Sequence, residues 1–229
     1  MGWRSRFLAA VRAIMWVCIT GTAMAAAGDI RRFDVEVRRF ERQDATNPPP
    51  TDAVLFTGSS SIVKWTRLRE DFVGLPVLNR GFGGSTWREL NHYFPQLVAK
   101  YHPRAVVVYE GDNDLAQGRS VAECVADFEE FRRLMHACLP DVPVAILTVK
   151  ASPSRRTQRP VQEQLNAEVR RRLEGESGWT VLEVGRVLLD ASGEPRPELF
   201  ETDQLHLRRA GYALWVPVLR PWLDKFAGP

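Results

Sequence analysis

The chain has 229 residues, 45% of them hydrophobic and 26% charged, a composition that excludes a disordered, fibrous or collagen-like polypeptide. Lys and Arg total 31 against 28 Asp and Glu, but Arg4, Arg6 and Arg12 fall in the first 26 residues, where no acid occurs, so the remainder balances at 28 against 28. A neutral body with no Lys/Arg stripe gives no electrostatic basis for nucleic acid or an anionic membrane surface as a partner.

Arg4 and Arg6 precede Phe7 to Val11, and after Arg12 an apolar stretch runs from Ala13 to Ala27 and ends in small residues. This pattern predicts a secretory signal peptide over residues 1–26, cleaved among Ala23 to Ala27, and an exported protein, periplasmic or secreted. The stretch is shorter than the roughly 20 apolar residues of a membrane span, so no stable span is expected after cleavage. Trp16-Val17-Cys18-Ile19 lacks the small residues that precede a lipoprotein cysteine.

Past the polar segment Asn47 to Pro50, short apolar runs alternate with longer amphipathic stretches. Strands are predicted at Val54 to Thr57, Pro76 to Asn79, Ala105 to Glu110, Val144 to Thr148 and Thr180 to Val184, each apolar enough to be buried on both faces. A helix is predicted over Ser120 to Leu139. Ser120 and Glu123 form a capping-box pair, Val121, Val125, Phe128, Phe131, Leu134 and Met135 form its stripe, and Pro140 stops it. Cys124 and Cys138 fall on that helix, roughly 21 Å apart at about 1.5 Å per residue, too far to pair. A second helix is expected from Pro160 to Glu174, closed by Gly175. Pro217 and Pro221 interrupt the pattern after Ala210, which predicts a kinked or early-ending last helix.

This rhythm, with no linker or repeat, predicts a single domain over residues 27–229. Its expected fold is a three-layer α/β/α sandwich around a mainly parallel five-stranded sheet. Ligands of such sheets bind beyond the carboxyl ends of the strands. The loops there read Gly58-Ser59-Ser60-Ser61, Arg80-Gly81-Phe82-Gly83-Gly84-Ser85, Gly111-Asp112-Asn113-Asp114 and Lys150-Ala151-Ser152-Pro153.

Of four histidines, His92 lies in a helical stretch, His102 precedes Pro103 in a turn and His136 lies near a helix end. His206 stands three residues after Asp203, ahead of the final helical segment, where a carboxylate could fix the imidazole tautomer and free the other nitrogen for a proton. A structural or solvent-facing pair satisfies the same spacing. The serines after Val54 to Thr57 fit a nucleophile at a helix N-terminus and equally an N-cap run. Asn113 and Gly84 fit oxyanion donors and equally turn formers. Asp112, Asn113 and Asp114 do not follow the EF-hand pattern, and no His/Cys spacing matches a zinc site.

The order of these blocks resembles the SGNH hydrolases, also called GDSL-type esterases/lipases, over about Val54 to Leu223. Gly58-Ser59-Ser60 matches the Gly-Asp-Ser block, Asn79 to Gly84 the block with the oxyanion glycine, Gly111 to Asp114 the Gly-x-Asn-Asp block and Asp203 to His206 the Asp-x-x-His block. The resemblance implies a flavodoxin-like fold. It also implies a Ser60, His206 and Asp203 triad, and an oxyanion hole made by Gly84, Asn113 and the Ser60 backbone N–H, with no cofactor and no metal. Ser59 stands where the family usually has Asp, which leaves Ser59 and Ser61 as rival hydroxyls. The implied activity is hydrolysis of acyl or acetyl esters of a small-molecule, lipid or glycan alcohol. Two other classes remain: an idle glycan- or lipid-binding domain on the same fold, and metal-dependent phosphoester hydrolysis by Asp112, Asp114, Asp203 and His206. Trp65, Phe82, Trp87 and Lys150 are candidates for lining the cleft or for core packing.

Overall fold

The computed structural model describes residues 29–227. The expected signal peptide, its cleavage site and Cys18 lie outside the described residues. Five strands, β1 (Val54–Gly58), β2 (Val77–Gly81), β3 (Ala105–Tyr109), β4 (Val144–Leu147) and β5 (Trp179–Leu182), pair in parallel in the order β2-β1-β3-β4-β5. The α-helices among the described residues are α1 (Asp34–Thr46), α2 (Ser60–Val63), α3 (Leu68–Asp71), α4 (Trp87–His92), α5 (Phe94–Leu97), α6 (Asp112–Ala116), α7 (Val121–Cys138), α8 (Arg159–Leu173) and α9 (Arg209–Leu223). None is long and apolar enough to cross a membrane.

Alternation along the strands builds two apolar layers, because successive strand side chains point to opposite faces. Leu55, Leu78, Val106, Val108, Val144 and Ile146 join one layer with α1, α4, α7 and α8. Val54, Phe56, Val77, Val107, Ala145 and Leu147 join the other with α2, α3 and α9. Trp65 and Trp215 lie in the second layer with ring centroids 5.7 Å apart, and Trp87 packs on Phe128 and Phe131 in the first. Trp65, Phe82 and Trp87 are therefore core residues rather than cleft lining.

Three expectations need correction. Strand β5 is only partly buried along most of its length, because it is the sheet edge beyond β4 and its outer flank has no neighbour. Helix α1 is an element the alternation did not predict, since only Val37 and Phe40 of its 13 residues are buried and most of the others are charged or polar. Helix α9 runs unbroken through Pro217 and Pro221 to Leu223. Each proline deprives the carbonyl four residues earlier of its donor, but Ala213, Pro217 and Pro221 are all exposed, so the prolines lie on the solvent side of the helix, where water can satisfy such carbonyls. The buried face of Tyr212, Trp215, Leu219 and Trp222 holds the helix in place.

Helix α7 carries the expected capping box, with Ser120 N–H donating to Glu123 Oε2 at 2.8 Å and Glu123 N–H to Ser120 Oγ at 3.3 Å. Cys124 and Cys138 are both free. The chain leaves the central β1 for β2 on one side and crosses to β3 on the other. The crevice beyond the ends of β1 and β3 is thus the topological switch point, and both serine and Asn113 loops open there.

Candidate active site

Strand β1 ends on Gly58, which lies opposite Gly81 and Tyr109 in the sheet. Gly58 has φ +113°, and a Cβ there would sit 2.2 Å from the Tyr109 carbonyl oxygen, so only glycine lets the chain turn this close to β3. Ser59 N–H then donates to that same carbonyl at 3.0 Å, and Ser60 becomes the first residue of α2. Ser59 holds the N-cap position without a side-chain cap bond, so capping does not account for the serine run. Ser59 and Ser61 are buried, whereas Ser60 is partly exposed.

His206 Nε2 lies 2.9 Å from Ser60 Oγ, and His206 Nδ1 lies 2.6 Å from Asp203 Oδ2. The other Asp203 oxygen accepts the backbone N–H groups of Leu205 and His206, each at 3.0 Å. The His206 side-chain bond, reinforced by these backbone donors, holds the Asp203 carboxyl well below the usual carboxylate range. The loop is tight: Glu201 N–H donates to the His206 carbonyl at 2.7 Å, and Gln204 takes a left-handed φ of +54°. Chain positions 146 residues apart are thus joined in one hydrogen-bonded line from Asp203 to Ser60.

The loop after β2 passes over this point. A Cβ on Gly83 would lie 3.9 Å from Ser60 Cβ, and Gly84 follows with φ +86° and open space where its own Cβ would stand. Asn79 secures the loop to α2, with Nδ2 donating to the Ile62 carbonyl at 2.7 Å and Oδ1 accepting Gly81 N–H at 2.9 Å. Arg32 donates to the Gly84 carbonyl at 2.7 Å and pairs with Glu89, which caps α4 through Thr86. Asn113 lies on α6 and donates from Nδ2 to the Ser85 carbonyl at 2.9 Å. Among the described residues, the backbone N–H groups of Ser60 and Gly84 have no protein acceptor.

Several buried polar groups lie beneath these loops. Lys150 is fully buried rather than cleft-lining, and its ammonium donates to Ser61 Oγ at 3.3 Å, Tyr109 Oη at 3.2 Å and Asp112 Oδ2 at 3.3 Å. Burial drives the Asp112 carboxyl up, but Lys150 and Arg155 outweigh it and keep it below its ordinary value. Burial pushes the Glu110 carboxyl well above the usual carboxylate range, and Ser85 Oγ donates to it. Asp114 accepts the Trp87 N–H at 3.2 Å, and burial pushes its carboxyl up to about 7. Asp112 and Asp114 are thus engaged away from Asp203 and His206, and among the described residues no group of three or more His, Cys, Asp or Glu side chains is placed to hold a metal.

Solved structures share this fold at low identity. A GDSL-like lipase from Bacteroides thetaiotaomicron is 16% identical with a TM-score of 0.71, covering 86% of this chain and 99% of that one. An acetyl xylan esterase from Geobacillus stearothermophilus is 18% identical with a TM-score of 0.60, covering 76% and 95%. A family 3 carbohydrate esterase from Clostridium thermocellum is 16% identical with a TM-score of 0.60, covering 78% and 100%. No curated protein matches. The family model for the GDSL-like lipase/acylhydrolases matches residues 38–214, a span that takes in every loop at the carboxyl end of the sheet. By that match the chain belongs to the GDSL-like lipase/acylhydrolase family.

Proposed function

We propose that the protein is a serine esterase that hydrolyses acyl or acetyl esters without a metal. Family membership supports an ester-hydrolysing role. The serine mechanism rests above all on the Ser60 Oγ to His206 Nε2 distance of 2.9 Å, with Asp203 on the other ring nitrogen. His206 Nε2 takes the Ser60 proton as Oγ bonds to the ester carbonyl carbon, and the carbonyl electron pair moves to oxygen. Gly84 N–H, Ser60 N–H and Asn113 Nδ2 donate to that oxyanion. The oxyanion collapses, the C–O bond to the alcohol breaks, and His206 returns the proton to the departing oxygen. Water then attacks the acyl-serine with His206 as base, releasing the acid and restoring Ser60. Asp203, held ionised, keeps Nδ1 protonated so that Nε2 is the free base.

The test is covalent labelling with an organophosphonate ester, followed by peptide mass analysis. A phosphonylated Ser60 in the wild type, absent in Ser60→Ala, is the expected result. A protein that binds esters and never forms the adduct is an idle binding domain, and turnover that survives Ser60→Ala overturns the reading. Ester panels of increasing acyl length, run beside O-acetylated polysaccharide, identify the substrate class. Export through residues 1–26 belongs to the same proposal. Amino-terminal sequencing of protein recovered from cells should begin among residues 23–28, and a start at Met1 contradicts it.

A further inference from the structure

The Asn113 carboxamide is held at both ends. Its Nδ2 donates to the Ser85 carbonyl at 2.9 Å, and its Oδ1 accepts from Arg155 Nη2 at 3.0 Å. A carbonyl only accepts and a guanidinium only donates, so a flipped amide would set acceptor against acceptor and donor against donor. Ser85 uses one N–H of Nδ2, which leaves the second for a ligand. Arg155 is fixed in turn, with Nη1 2.9 Å from the Asp112 carbonyl and 2.7 Å from Asp112 Oδ1. Its own turn, Pro153–Gln158, also reaches the base loop, where Ser154 N–H donates to the Gln204 carbonyl at 3.1 Å.

We propose that Arg155 is a positioning residue for ester hydrolysis, locking the Asn113 carboxamide with one N–H free for the oxyanion and polarising that donor through Oδ1. This rests on the serine-esterase reading above. A cation at the amide oxygen draws electron density from the amide nitrogen, so the N–H donates more strongly where charge develops. Without Arg155, only the Ser85 carbonyl opposes the flip that presents an oxygen to the oxyanion, so the lock is weakened at one end. Asp112 keeps Lys150 and Gln162 when Arg155 is lost, so no buried carboxylate is stranded by the change.

The experiment is a double-substitution cycle on the full chain, with Arg155→Met, Asn113→Ala and both together, read as kcat and KM on one small ester. Arg155→Met should lower kcat by about 10- to 100-fold with KM little changed, less than the loss of a whole oxyanion donor. In the Asn113→Ala background the same change should cost under about threefold, because its route of action is gone. Equal losses in both backgrounds, or an unchanged kcat in Arg155→Met, overturn the proposal. Should Arg155→Met fail to fold, Arg155→Gln, which removes both the charge and the fork, is carried through the same cycle, and the same outcomes support or overturn the proposal. If instead Ser60→Ala and Asn113→Ala leave turnover intact, the esterase reading itself has failed, a result distinct from an inert Arg155.

Discussion

Tyr212 donates its phenolic O–H to the Ser61 carbonyl oxygen at 2.9 Å, which fastens α9 to the residue beside Ser60. Both groups are buried, so Tyr212→Phe leaves an acceptor without a partner. The expected loss is about 1 to 3 kcal/mol, seen as a lower urea midpoint at constant slope. A midpoint equal to the wild type would show that water replaces the phenol.

Two glycines with left-handed φ should respond differently to the same change. Gly58→Ala forces a Cβ onto the Tyr109 carbonyl, whereas Gly84→Ala meets no atom within 4 Å. Gly84→Ala should cost only the backbone penalty, about 1 to 2 kcal/mol, while Gly58→Ala exceeds about 4 kcal/mol or prevents folding. Thermal and urea unfolding of the two variants in parallel checks the ranking.

Asn113→Ala should lower kcat by about 10² to 10³, and Ser60→Ala by on the order of 10⁴ or more. Asp203→Ala should fall near the lower end of the Ser60 effect, about 10³ to 10⁴, because the imidazole loses its tautomer lock. Steady-state rates on one ester, with circular dichroism to verify folding, separate these values. A kcat unaffected by Asn113→Ala removes that amide from the oxyanion site.

The buried Asp114 carboxyl, pushed up to about 7, binds its proton more readily in the folded chain than in the unfolded one. Between about pH 4 and pH 7 the folded state therefore holds the extra proton, and stability contributed by this group falls as pH rises, by at most about 1.4 kcal/mol per pH unit. Glu110, pushed up by burial as well, adds in the same direction. Asp203 has the opposite sign: its contribution is present above the ordinary carboxylate value and fades as acid protonates it. Asp114→Asn should thus gain on the wild type progressively from about pH 4 to pH 7 in urea unfolding. Parallel profiles for the two proteins would refute the assignment.

The sheet was legible because buried parallel strands read as apolar runs, and Val106 to Val108 could be little else. The loops were legible because turns next to strand ends need glycine, as Gly58 and Gly111 do here with φ +113° and +103°. The Gly-x-Ser spacing pointed to Ser60, while the burial of Ser59 and Ser61 was not legible in a run of three serines. What the sequence hid depends on contacts between distant positions. Arg155 reaches Asn113 across 42 residues, and Lys150 reaches Ser61 across 89, with no local pattern to mark either. The exposed prolines of α9 misled for a related reason: the side of a helix that faces water is set by packing, not by the proline itself.

Arg32 precedes α1 by two positions, yet it grips the Gly84 carbonyl and the Glu89 carboxylate far along the chain. Shortening the polypeptide to start at α1 would therefore be no innocent trimming of a tail. It would release the glycine loop that overhangs Ser60 while leaving every motif intact, and a recombinant enzyme so shortened could carry all its signature residues and still run slowly.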